Sequence, residues 1–129
     1  MDHLVYTDEK AEELKGLLAG KKTMIVRGAT RLPLAHDRVQ PEDRLFFVHG
    51  DGLVTACSAV SLVHCSEELK GSQARRLLQA NQAKLDLTLE QLQRWCGKRY
   101  LLLIELRDVR LIEPFHTGWL PYGNMEDGL

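Results

Sequence analysis

Three cations crowd one short stretch of the chain. Lys21, Lys22 and Arg27 fall in the run Leu17-Leu18-Ala19-Gly20-Lys21-Lys22-Thr23-Met24-Ile25-Val26-Arg27. Arginine offers a planar fork of donors and lysine a mobile point charge, so the group suits a phosphate or a nucleobase. If a strand begins at Lys22, then Lys22, Met24 and Val26 share one face and Arg27 points to the other. The same residues also fit a plainer role, in which the lysines neutralise the negative end of a helix and the arginine is a surface charge.

Aromatic residues offer a second kind of contact. Trp95, Tyr100, Trp119 and Tyr122 have faces on which bases can stack, at about 1–3 kcal/mol per base. Trp95 and Tyr100 sit in periodic segments and default to core packing. Trp119 and Tyr122 lie in a Gly/Pro-rich tail and are the better platform candidates. His49, His64, Cys57 and Cys65 are near one another in sequence, but no Cys-x-x-Cys or His-x-x-x-His spacing appears, so neither a metal nor a cofactor is expected. Cys96 precedes a helix-ending glycine and reads as a core residue. Gly50-Asp51-Gly52 is too short for a phosphate loop and leads into a strand, which makes it hairpin chemistry.

The elements that position these residues follow from periodicity. Ala11, Leu14, Leu17 and Leu18 recur at helical spacing, with Thr7 as N-cap, Asp8 and Glu9 in the first turn and Gly20 as the stop. The helix is expected over 8–19. Thr23 to Val26 is a short strand, apolar enough to be buried on both sides. Residues 28–41 lack a period and contain Gly28, Pro33 and Pro41, a loop of a length that is often functional. A strand from Arg44 to His49, the glycine turn and a strand from Leu53 to Val63 form a hairpin. A helical insert is expected from about 66 to 96, with Ser66 as one N-cap and a Thr88–Gln91 capping box at its last helix. Tyr100 to Arg107 is the clearest strand. Its alternation slips at Asp108, which predicts a bulge. From Phe115 the tail shows no regular period.

Size and charge bound the rest. The chain of 129 residues is read as a single domain, 1–129, large enough to bury a core. Its net charge of −1 is unlike the strongly basic surfaces that grip long duplexes. A nucleic-acid ligand would have to meet a local patch. From Lys21 to Arg44 there are Lys21, Lys22, Arg27, Arg31, Arg38 and Arg44 against Asp37, Glu42 and Asp43, which a solvated basic loop would equally explain. Three cysteines, an odd number, suit free thiols in a reducing compartment. No apolar run approaches a membrane span, and the first residues are neither basic nor signal-like, so a cytoplasmic location is expected. Strands on both sides of a helical insert indicate an α+β fold, mostly antiparallel, and short antiparallel strands in a small chain often curl into a barrel.

Gly20-Lys21-Lys22 followed by Arg27 resembles the Gly-x-Lys-x-x-x-x-Arg signature of ASCH domains, in the PUA-like superfamily. Val39-Gln40-Pro41-Glu42-Asp43-Arg44-Leu45 resembles that family's second landmark, a Pro-Gly-Asp turn entering a strand, with Glu42 in the glycine's place. The resemblance covers roughly 10–113. It implies a PUA-like small, mostly antiparallel β-barrel with peripheral helices, and RNA or nucleotide binding in a cleft. On this reading Lys22 and Arg27 contact the ligand, with Lys21 and Arg44 at the rim. Some ASCH proteins hydrolyse acylated cytidine nucleosides with a Lys, a Thr and a Glu. Lys22 matches the first, Ile25 stands at the second, and the third falls near Leu85–Asp86, where Asp86 is the only acid. The resemblance thus favours binding over that chemistry. An amidohydrolase or ribonuclease-type enzyme, and a non-catalytic protein-interaction module, remain as alternatives.

Overall fold

The computed structural model describes residues 1–29 and 39–117 of the chain. In chain order the elements are β1 (Asp2–Tyr6), α1 (Glu13–Leu18), β2 (Met24–Ala29), β3 (Arg44–Val48), β4 (Leu53–Cys65), α2 (Gln73–Ala80), α3 (Gln82–Leu85), α4 (Leu89–Trp95) and β5 (Tyr100–His116). The sheet runs β1-β3-β4-β5-β2, antiparallel throughout except for the parallel β1–β3 pair.

The two edge strands of that order, β1 and β2, are joined by a side chain. Arg27 on β2 donates from Nη2 to the Tyr6 carbonyl on β1 at 2.8 Å. Strands at opposite ends of a five-strand sheet can approach this closely only if the sheet curls, as twisted sheets do. The result is a half-barrel. The expected barrel is met as a curled sheet: among the described residues β1 and β2 do not pair, and one guanidinium spans the gap.

Both faces of the sheet are covered, which explains the apolar runs. Ile25, Leu102 and Ile104 point into the curl and pack with Leu14 and Leu17 of α1, Val5, Leu45 and Phe47. Met24, Val26, Leu101 and Leu103 point outward and pack against Ala74, Leu78 and Leu85 of the helical insert. The middle of β2 thus lies buried on both sides, as its composition implies. The insert starts later than Ser66. That residue's Oγ instead accepts the Leu101 N–H at 2.9 Å, and the chain turns into helix only at Gln73. Asn81 separates α2 from α3, its amide donating back to the Leu77 carbonyl. The Thr88–Gln91 capping box forms in full at α4.

Two irregularities show how register is set. Asp108 has φ 55°, and it and Val109 together face Ser58, since Cys57 pairs with Arg110 and Ala59 with Arg107. This is the bulge that the slip in alternation predicts. Glu42 has φ 76°, the left-handed conformation that glycine adopts most easily. The strand β5 also continues two residues past Pro114 to His116.

Helix α1 is shorter than its 8–19 pattern because side chains close the chain ahead of it into a turn. The Asp8 carboxylate accepts the Ala11 N–H at 3.1 Å, and the Glu13 carboxylate accepts the Asp8 N–H at 3.1 Å. Glu12 takes φ 53°, which no helix continues through. Strand β1 has no counterpart among the sequence expectations, because its parallel pairing with Arg44–Val48 is non-local.

Candidate functional site

Lys22 leaves the end of α1 and enters the sheet edge with its side chain on the outward face, toward the insert. Its ammonium donates to the Leu85 and Asp86 carbonyls, both at 2.7 Å. These are the last carbonyls of α3, which lack partners within the helix, and Asp86 terminates α3 with φ 45°. A lysine is the natural cap for such an end. The Thr23 N–H reinforces the seam by donating to the Lys84 carbonyl at 2.9 Å. The side chain reaches this position across Gly16, where an added Cβ would lie 3.0 Å from the Lys22 Cδ.

Lys22 is only 4% exposed. Burial pushes its pKa below the usual lysine value, and Arg27 adds to that by repulsion, while Glu13, Asp86 and Asp8 pull it back up. Two protons of the ammonium are taken by carbonyls, which leaves one donor of the three.

Arg27 alternates with Ile25 and so points to the inner side, toward α1. There its guanidinium meets the Glu13 carboxylate at 2.9 and 3.3 Å and also donates to the Tyr6 and Val26 carbonyls. Glu13 is buried, its side chain 4% exposed against 15% for Arg27. The sequence reading passes Glu13 over, since an acid in the first turn of a helix ordinarily faces water. Its one signal is its place on the apolar face beside Leu14 and Leu17.

Two adjoining hollows lie between the segment around α1 and the segment 86–94. One, of about 330 Å³, has Lys22 in its wall, with Lys15, Lys21, Gly16, Asp86 and Thr88. The other, of about 360 Å³, is walled by Asp8, Lys10, Glu90 and Arg94. Ala11 and Thr88 border both, so the two form one groove. Asp8 braces its middle, accepting from Arg94 at 2.9 Å and from Gln91 at 3.4 Å. Burial alone would raise the Asp8 pKa, but the Ala11 N–H, Arg94 and Gln91 outweigh it and hold the carboxyl below its usual range.

The sequence candidates divide accordingly. Lys21 and Lys22 line the groove, with Lys21 exposed and Lys22 sealed. Arg27 lines neither hollow and is held on the inner side of β2 by Glu13. Arg44 lies elsewhere: it pairs with Asp2 at 2.8 Å and stacks on Phe46 with its Cζ 5.4 Å from the ring centroid, and it lines neither hollow. Asp86 lines the groove with an exposed carboxylate, but it accepts from Lys22 through its backbone carbonyl. Glu105 pairs with Lys84, not Lys22. Ile25, at the position of the hydrolases' threonine, is core. Trp95 is half-buried against the insert. Trp119 and Tyr122, together with Arg31 and Arg38, lie outside the described residues. No group of His, Cys, Asp or Glu able to hold a metal occurs among the described residues, and no helix there is long and apolar enough to cross a membrane.

A curled mixed sheet with a helical insert between its fourth and fifth strands is the fold of solved ASCH proteins. The chain superposes on the crystal structure of ASCH from Zymomonas mobilis with a TM-score of 0.65 at 17% identity, over 89% of this chain and 73% of that one. It superposes equally on two variants of that protein, a tyrosine-to-phenylalanine form (TM-score 0.64, 16% identity, 89% and 75% covered) and a serine-to-alanine form (0.66, 17%, 89% and 73%). No family model matches the sequence, and no curated protein matches it.

Proposed function

We propose that the chain is an ASCH-type, PUA-like protein that binds RNA or a nucleotide in the groove between α1 and the 86–94 segment. The observation that carries this reading is the groove itself. It holds Lys15, Lys21 and Lys22 around one hollow together with Glu12 and Asp86; Lys15 pairs with Glu12 at 3.2 Å, so the exposed Lys21 is the lysine there with no carboxylate partner among the described residues. A hollow of about 330 Å³ is at the lower end of small-molecule sites, a size suited to one nucleoside-sized group. Lys21 supplies an exposed charge at its edge for a phosphate. The Gly20-Lys22-Arg27 spacing and the shared fold point the same way. Lys22, sealed against the Leu85 and Asp86 carbonyls, and Arg27, which lines neither hollow, then act as builders of the surrounding structure and not as ligand contacts.

Binding is favoured over hydrolysis by the surroundings of Lys22. Ile25 offers no hydroxyl, and the donor bonds of Lys22 run to main-chain carbonyls, which cannot take a proton from a nucleophile. The test is fluorescence anisotropy with short RNAs and with single nucleotides at low salt. Lys21→Gln is expected to weaken binding several-fold while leaving the fold intact. Failure of the wild-type protein to bind any RNA or nucleotide would sink the reading.

A further inference from the structure

The helical insert concentrates charge that the rest of the chain lacks. Between β4 and β5, residues 66–99, it carries Lys70, Arg75, Arg76, Lys84, Arg94, Lys98 and Arg99 against Glu67, Glu68, Asp86 and Glu90, a net of +3 in a chain of net −1. Glu68 pairs with Arg99, Glu105 with Lys84, and Asp8 with Arg94. The other four cations have no carboxylate partner among the described residues. Arg76 meets only the Ser72 hydroxyl, and Arg75 only the Cys96 sulfur at 3.8 Å.

These cations gather in space as well as in sequence. Arg75 reaches the end of α4 at Cys96. The Leu69 N–H donates to the Arg99 carbonyl at 2.7 Å, which places Lys70 beside the 96–99 turn. An added Cβ on Gly28 would lie 2.8 Å from Lys98 Cγ and 3.1 Å from Trp95 Cε3, so Lys98 and Trp95 sit side by side on β2. The Arg94 guanidinium lies over the Trp95 ring, 5.9 Å from its centroid, and Arg94 also walls the groove. The cations therefore run from the groove over the end of α4 to the exposed side of α2.

We propose that this face of the insert, Lys70, Arg75, Arg76 and Lys98 joined to the groove by Arg94, is a phosphate track for single-stranded RNA. The inference rests on the groove binding a nucleotide and adds the length and polymeric nature of what enters it. Guanidinium and ammonium groups without carboxylate partners on one face match a backbone with one charge per nucleotide, and each phosphate they engage releases counterions. A hollow for one nucleoside-sized group admits a base only when it is unpaired, which selects a single strand over a duplex.

The experiment compares a labelled dinucleotide with a labelled RNA of about twelve nucleotides, a span typical of such grooves. The proteins are the wild type, Lys21→Gln, and the triple variant Lys70→Gln/Arg75→Gln/Arg76→Gln, whose three sites are all exposed. The triple variant is expected to bind the longer RNA about tenfold more weakly. Its log–log salt slope should fall by about 2, at ~0.7 for each phosphate that three removed cations no longer neutralise. Its dinucleotide binding should stay unchanged, whereas Lys21→Gln weakens both ligands. The single reversal Arg76→Glu should weaken only the longer RNA. If the triple variant and wild type share one affinity and slope for the longer RNA, the track is refuted and the groove reading stands. If wild type binds neither ligand, both fall. If a poly-glutamate peptide of equal charge displaces the longer RNA as well as unlabelled RNA does, the face is a site for acidic protein instead and the proposal is overturned.

Discussion

The region of the groove and the outer face of the insert both carry cations, and they use them in opposite ways. Around the groove the buried groups are engaged internally: Lys22 with two carbonyls, Arg27 with Glu13 and two more carbonyls, Asp8 with Arg94. On the insert face Lys70, Arg75, Arg76 and Lys98 have no carboxylate among the described residues. The residues with the recognisable spacing hold the half-barrel together, and residues with no recognisable spacing are available to a ligand. A signature can mark a shape as readily as a contact, and only partners seen in three dimensions separate the two.

The sharpest way to break this comparison is to remove Arg27. Arg27→Met leaves the Glu13 carboxylate buried without its cation and the Tyr6 carbonyl without its donor. Breaking a buried pair from one side costs about 3–5 kcal/mol. A urea unfolding free energy lowered by that amount is expected. Glu13→Gln in the same chain should recover part of the loss, because the stranded charge is then gone. A loss below about 1 kcal/mol, the level of exposed ion pairs, would show that Arg27 is a surface residue and that the contrast is false.

Gly16→Ala comes next. Alanine is the better helix former by about 1 kcal/mol, so an open site would be stabilised. Here the new methyl group meets Lys22 at 3.0 Å from Cδ and 3.2 Å from Cγ and Cε. The lysine cannot swing aside without leaving the Leu85 and Asp86 carbonyls, and overpacking of this kind costs about 1–3 kcal/mol. A net destabilisation is expected in thermal melts. A stabilised Gly16→Ala protein would mean that Lys22 moves freely and is no anchor.

Much of this architecture is legible from residue order, and the parts that are not have a common cause. The parity that sends Lys22 one way and Arg27 the other is a property of any strand, and β2 obeys it. The signals for the two-sided burial of β2, the Thr88–Gln91 box and the bulge at Asp108 are likewise written within a few consecutive residues, although distant segments supply the partners. What escapes a sequence reading depends on partners far along the chain. Strand β1 exists by pairing with residues some forty positions on. Glu13 matters because Arg27 crosses from another element. The +3 of the insert is spread over some thirty positions and becomes a surface only when α2 and α4 bring Arg75 to Cys96. The expected start of α1 near residue 8 is wrong for a local reason that periodicity does not weigh. Side chains of Asp8 and Glu13 bond backbone N–H groups there and favour a turn.

Asp8 stands at the border between the two regions, and its titration should loosen one from the other. Burial would raise its pKa, but the Ala11 N–H, Arg94 and Gln91 together outweigh burial and leave the folded-state value below the ordinary one. A carboxyl shifted down binds protons more readily in the unfolded chain. The stability it contributes is fully present above the unfolded value near 4, and it is lost as pH falls through the lower folded value. Wild-type protein should therefore lose more stability than Asp8→Asn between about pH 5 and pH 2, read as the difference between their urea midpoints. Parallel pH curves for the two proteins would show that the Asp8–Arg94 contact does not tie the groove to the insert.

The smallest expected effect tests the other half of the comparison. Arg75→Ala and Arg76→Ala remove exposed side chains with no carboxylate partner from a helix where alanine is the preferred residue. Surface changes of this kind fall within about 0.5 kcal/mol of zero, and here a slight gain is expected from helix propensity. Calorimetric melts of the two variants check this directly. A loss above about 1 kcal/mol would mean that these arginines hold α2 in place as Arg27 holds β1. They would then be committed to the fold in the same manner as the buried groups around the groove, and a free cationic face would not exist for RNA to occupy. Neutral melts combined with weaker binding of long RNA would leave the two regions with the roles their partners assign them.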